Sequence, residues 1–188
     1  PNDSLAANAL YKMSTIHLYW NNNLSSGYNV LEELVKRFPN SKQGKQAKIE
    51  IDEFPESVLN KTQSLRKKEM VKEAINNLMY LLENHPRHKL MPKAQYMLGD
   101  IYMNDLRDFN TAIQEYRKVL EKFSGSEQEP HALFMIGYVY ANVLNDTKKA
   151  KIEYEDFLQR FPKHELSPSV KFEIEYLGKS VDEIPALK

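Results

Sequence analysis

Ala94-Gln95-Tyr96-Met97-Leu98-Gly99-Asp100-Ile101-Tyr102 returns 38 residues later as Ala132-Leu133-Phe134-Met135-Ile136-Gly137-Tyr138-Val139-Tyr140. The beat runs outward in both directions. Pro86 and Pro162 are 76 apart, twice the period, and Ser124 stands midway between them. Eight residues after Pro39, Pro86, Ser124 and Pro162 come Ala47, Ala94, Ala132 and Val170, and Ala9 lies 38 before Ala47. A unit of that length holds two short helices and two turns, and such units bury their apolar faces only by stacking on neighbours. The period predicts an all-α helical solenoid.

The second helix of each unit is marked by Gly27, Ala74, Ala112 and Ala150, each 12 residues before the terminating Pro or Ser. Leu31, Leu78, Tyr116 and Tyr154 follow four residues on, and Leu34, Leu81, Val119 and Phe157 three beyond them. This spacing is one face of an α-helix. Ser41, His88, Ser126 and His164 stand where the next helix begins. Serine caps a helix well because its oxygen accepts a free amide hydrogen bond, whereas histidine is a weaker cap. Pro92, Pro130 and Pro168 fall in the following first turn, where a missing amide costs nothing.

Composition narrows the function classes. Lys+Arg and Asp+Glu both number 26, so the net charge is zero, which argues against nucleic acid, a partner that needs a basic excess. The run Arg66-Lys67-Lys68 is followed by Glu69 and reads as a solvated helix face. With no cysteine, a disulfide scaffold, thiol chemistry and a thiolate zinc site are excluded. The longest apolar stretch, Ala132 to Ala141, is about half of the roughly 20 residues of a membrane span. The start at Pro1 suggests a mature or excised piece of a longer chain.

One unit departs from the period. Asp52 to Ala74 spans 22 residues, against 13 for both Gly99 to Ala112 and Gly137 to Ala150. The nine added residues fall within Phe54 to Gln63. Two readings are open: a longer, solvated hairpin connection with the second helix beginning near Leu65, or a protruding element with Phe54, Val58 and Leu59 as apolar anchors for a partner.

The repeats resemble the tetratricopeptide repeat. Leu98-Gly99, Tyr102, Ala112 and Tyr116 match its pattern in the third unit, and Ile136-Gly137, Tyr140, Ala150, Tyr154 and Pro162 match in the fourth. The resemblance implies a right-handed superhelical solenoid over 1–180. Its parts are hairpins near 4–39, 41–86 (with the insertion), 88–124 and 126–162, a capping helix at 165–178 and a tail at 181–188. The phrases Phe-Pro-x-Ser/His and Ala-x-Tyr-x-Leu-Gly are further similar to a bacterial envelope subgroup. That subgroup includes the outer-membrane assembly lipoprotein BamD and the periplasmic coordinator of the Tol–Pal system.

In tetratricopeptide folds the first helices line a concave groove. The resemblance therefore implies a partner-binding row of Tyr11, Thr15, Tyr96, Asp100, Phe134 and Tyr138, with Lys93, His131 and Asn142 as further polar readers. The alternative is that these aromatics merely pack between successive first helices. His85 and His88 flank a Pro-Arg turn beside Glu83 but lack a third ligand, and His17, His131 and His164 are isolated in sequence, so no metal site and no cofactor are expected. Neither a phosphate loop, a nucleophile elbow nor a metalloprotease motif is present, and no catalytic residue is assigned. The expected function is a non-enzymatic adaptor holding a protein or peptide, in a periplasmic or outer-membrane-associated assembly or secretion complex. The alternatives are a cytoplasmic regulatory module of a larger sensor or regulator, and a small-ligand sensor.

Overall fold

The computed structural model describes residues 2–179, and every element assigned among them is a helix. The predicted tail lies outside the described residues. The chain divides between Leu90 and Met91 into two compact units. In the first, α1 (Asn2–Thr15) runs on through a π-helical turn, Ile16–Trp20, and packs on α2 (Leu24–Arg37), which also carries α3 (Lys42–Asp52). Then α4 (Phe54–Lys67) pairs with α5 (Val71–Asn84).

In the second unit α6 (Met91–Asp100) and its π turn Ile101–Asp105 pair with α7 (Phe109–Lys122). Next, α8 (Gln128–Tyr138) and its π turn Val139–Val143 pair with α9 (Thr147–Arg160). Finally α10 (Ser167–Glu175) covers α9, as expected of a cap.

Three of the hairpins close on a residue that has no side chain. A Cβ added to Gly99 would lie 2.6 Å from ring carbons of Tyr116, and one on Gly137 would lie 2.5 Å from those of Tyr154. Both rings are fully buried, so each tyrosine lies directly on the backbone of the facing first helix. The first hairpin reverses the arrangement. Gly27, on its second helix, receives Leu18, with an added Cβ only 2.3 Å from that side chain. The periodic alanine of the first helix also shifts: Ala9 is exposed, and Ala7 takes the buried place.

Three hairpin turns are built alike. The residues after the π turns, Asn22, Arg107 and Asn145, adopt φ of 48°, 53° and 53°. The next amides, of Asn23, Asp108 and Asp146, donate to the carbonyls of His17, Tyr102 and Tyr140, each at 2.8 Å. The same three side chains cap the following helix by accepting from Ser26, Thr111 and Lys149 amides at 3.0, 3.1 and 3.0 Å. Between hairpins, Ser41 caps α3 as expected, its Oγ accepting from the Gly44 amide at 2.9 Å. His88 and His164 accept instead from Leu90 and Leu166 amides through Nδ1, at 3.3 and 3.2 Å. Ser126 does not cap: its Oγ is buried and has no hydrogen-bond partner.

The insertion is neither a solvated connection nor a protrusion. Its residues form α4, which follows α3 after the single residue Glu53 (φ −91°, ψ 0°) and carries Pro55 in its first turn, where proline is tolerated. The second helix begins at Val71, not near Leu65. Phe54, Val58 and Leu59 are 3%, 3% and 4% exposed. They are therefore packed into the core rather than standing out as a protrusion, with Phe54 and Val58 also lining a cavity. Helical spacing puts Phe54, Val58, Leu59, Thr62 and Leu65 on the buried face of α4, and the Phe54 ring packs against Tyr28 (4.8 Å), His85 (5.7 Å) and Tyr80 (6.2 Å).

Two predictions follow from this packing. Gly99→Ala or Gly137→Ala should each lower stability by about 1–3 kcal/mol, since the added methyl displaces a buried ring from a packed core; urea unfolding followed by circular dichroism checks this. The second concerns the tie from α1 to α3. Tyr11 donates to Glu50 Oε1 at 2.5 Å, and this bond, then burial, pushes its phenol up to about 12. A raised pKa stabilises the neutral form, so the tie contributes fully below about pH 10 and is lost as pH rises to about 12. In an ultraviolet titration, the phenol that disappears in Tyr11→Phe should be one that ionises near pH 12.

Candidate protein-binding surface

In the first unit a cavity of about 270 Å³ opens among the π turn, α2, α3 and α4. Leu18, Leu24, Leu31, Phe54 and Val58 form its apolar wall, and Tyr19, Gln46, Glu50, Glu53, Ser57 and Lys61 its polar one. Packing of α4 on α5 fixes the apolar side. Tyr11 holds Glu50 at the rim. Lys61 donates to the carbonyl of Leu18, and burial lowers its ammonium pKa. Lys61 keeps its charge while it tethers α4 to the π turn, so at the rim the two carboxylates of Glu50 and Glu53 outnumber one ammonium.

Beyond the rim, apolar side chains stand in water. Ile16, Tyr19 and Trp20 are 50%, 61% and 82% exposed, all on the π turn that ends the first helix. Scattered apolar residues are ordinary on a surface, whereas a contiguous set marks a contact site. Of the expected row, Tyr11 and Thr15 are half-buried in this unit. The Thr15 hydroxyl donates to the Tyr11 carbonyl at 3.0 Å, within its own helix.

The second unit holds the rest of the row. Tyr96 is half-buried against Tyr116 (5.3 Å) and His131 (6.4 Å). Burial, then the Asp100 charge, raises its phenol pKa. Asp100 accepts from the Tyr116 hydroxyl at 2.7 Å. Phe134 lies between Tyr138 (6.3 Å) and Tyr154 (6.1 Å). Asn142 is exposed and donates to Glu173 Oε2 at 3.4 Å, an oxygen that also accepts from Tyr154 at 3.4 Å. Lys93 is exposed on the first turn of α6. The aromatic residues thus touch the second-helix tyrosines with one edge and remain partly open on the other.

Sequence reasoning overlooked Tyr19, Trp20, Glu50 and Lys61. Tyr19 was within reach, because it precedes Asn142 by 123 residues, the same offset that relates Tyr11 to Phe134 and Thr15 to Tyr138. Glu50 and Lys61 had no such signal, since the slipped period of this hairpin hides their facing partners. The meeting of His131 with His164, rings 5.3 Å apart, joins different positions of the repeat and leaves no periodic trace.

The helices are each too short or too polar to cross a membrane among the described residues. The family of outer membrane lipoproteins designated YfiO matches residues 3–177. Comparison with curated proteins found no match. A match over nearly the whole chain, on a fold of stacked helical hairpins, meets the expected kinship with envelope-assembly lipoproteins at the level of family. The chain belongs to the YfiO family of outer membrane lipoproteins.

Proposed function

We propose that this chain is a non-enzymatic scaffold of an outer-membrane assembly or secretion complex, holding a protein segment against the exposed faces of its first helices. The family supports the envelope setting over a cytoplasmic regulatory module. The observation that carries the binding reading is the cavity of the first unit, with an apolar wall, an acidic rim and the exposed Ile16, Tyr19 and Trp20 beside it. At about 270 Å³ it falls just below the roughly 300–1,000 Å³ of small-molecule sites, a size suited to one or two apolar side chains of a peptide. The rim favours a segment with a basic residue near its apolar anchor, and the half-buried aromatics of the second unit offer a further strip of the same character.

A photo-crosslinking amino acid in place of Tyr19 or Ser57, in the native envelope, tests this. Both positions line the cavity, and both should yield a protein adduct. The same probe at Lys36, exposed on the second helix of the first hairpin, should yield little. Adducts from Lys36 with none from Tyr19 or Ser57 would contradict the assignment.

A further inference from the structure

We propose that His131, His164 and Glu165 form a site for one divalent transition-metal cation of the zinc class. One ligand atom from each residue lies within 4.8 Å of the other two, and this is the single such group of three among the described residues. Tetrahedral coordination at ordinary zinc bond lengths sets donors roughly 3.3 Å apart, so the group needs only a modest closure. Glu165 supplies the freedom for it, because its side chain is 79% exposed and its Oε1 already lies 3.9 Å from His131 Nε2.

The two imidazoles are held by their surroundings. His131 Nδ1 lies 3.1 Å from the carbonyl of Glu127. A carbonyl only accepts, so this nitrogen is the donor, and in the neutral ring Nε2 carries the lone pair on the side of Glu165. A histidine whose second nitrogen donates to a carbonyl is the usual outer support of a metal ligand. The rings of Phe157 (5.8 Å) and Phe161 (6.5 Å) set the orientation of His164, and Tyr96 (6.4 Å) that of His131. The two segments are also joined nearby: Arg160, at the end of α9, pairs with the buried Glu129 in the first turn of α8. Ligation by His164 gives up one long hydrogen bond, from the Leu166 amide to Nδ1 at 3.2 Å.

Two imidazoles and one carboxylate suit zinc and its neighbours rather than magnesium or calcium, which take oxygen donors. A water completes the set. The ion would clamp the start of α8 to the turn before α10.

Zn²⁺ competed against a chromophoric chelator, with the full chain, tests the proposal. One equivalent should bind to the natural chain, and His131→Asn or His164→Asn should weaken binding at least about tenfold. Glu165→Ala, at a position too exposed to affect folding, should weaken it too and abolish the rise in melting temperature caused by Zn²⁺. His88→Asn, which alters the matching turn of the first unit, should leave binding unchanged. Failure of the natural chain to take up Zn²⁺, or unchanged affinity in Glu165→Ala and both histidine variants, would overturn the site.

Discussion

The absence of a side chain at Gly99 and Gly137 is the constraint on which the second unit depends. Only a bare backbone lets the rings of Tyr116 and Tyr154 lie where they do, because any Cβ would overlap them. The close approach puts both tyrosines out of water and brings the hydroxyl of Tyr116 to Asp100 and that of Tyr154 to Glu173. It also decides what remains outside. With the second-helix rings filling the seam, Tyr96, Phe134 and Tyr138 are pushed to its edge and stay partly exposed. The first hairpin solves the same problem with Gly27 beneath Leu18, so the small residue changes helix while the seam stays tight.

Charge burial adds specificity to this apolar lock. Glu115, Glu129 and Glu153 are nearly inaccessible, a state that costs several kcal/mol per ion unless partners compensate. Glu153 is met by Arg117, which joins α7 to α9. Glu115 accepts from Gln95 Nε2 and from Lys118 Nζ, both at 2.7 Å. Glu129 is met by Arg160 and accepts from the Gly125 amide at 2.6 Å. Removing Arg117 would leave the buried Glu153 without its cation, and the cross-helix contacts Arg117–Glu153, Gln95–Glu115 and Arg160–Glu129 fix which helices are neighbours more than they add net stability.

Much of this was legible because it is periodic. The 38-residue beat specified the all-α fold, the two regular hairpins of the second unit with their seam residues, and the closing helix, since each repeats a local pattern of small and large side chains; within 41–86 it missed that α3 packs on α2 while α4 pairs with α5. It failed where the pattern is broken by tertiary context. Phe54, Val58 and Leu59 looked available because they sit in an insertion, yet they have the spacing of a buried helical face and the structure uses it. Ala9 holds the right period but faces solvent, and Ser126 has the right residue type but makes no cap. Contacts between unlike repeat positions, such as Tyr11 with Glu50 and His131 with His164, leave no mark on the sequence.

In the proposed function, hairpins that are tight at the seam leave first-helix residues such as Tyr19, Tyr96 and Phe134 partly open, and these faces would hold a protein segment. The most direct measurement is hydrogen–deuterium exchange on the chain alone and bound to a partner purified from the envelope. Exchange should slow at the end of the first helix, around Tyr19, and along the cavity wall from Gln46 to Lys61, with α5, α7 and α9 unchanged. Slowing confined to α5, α7 and α9, with the first-helix arms unaffected, would contradict the account.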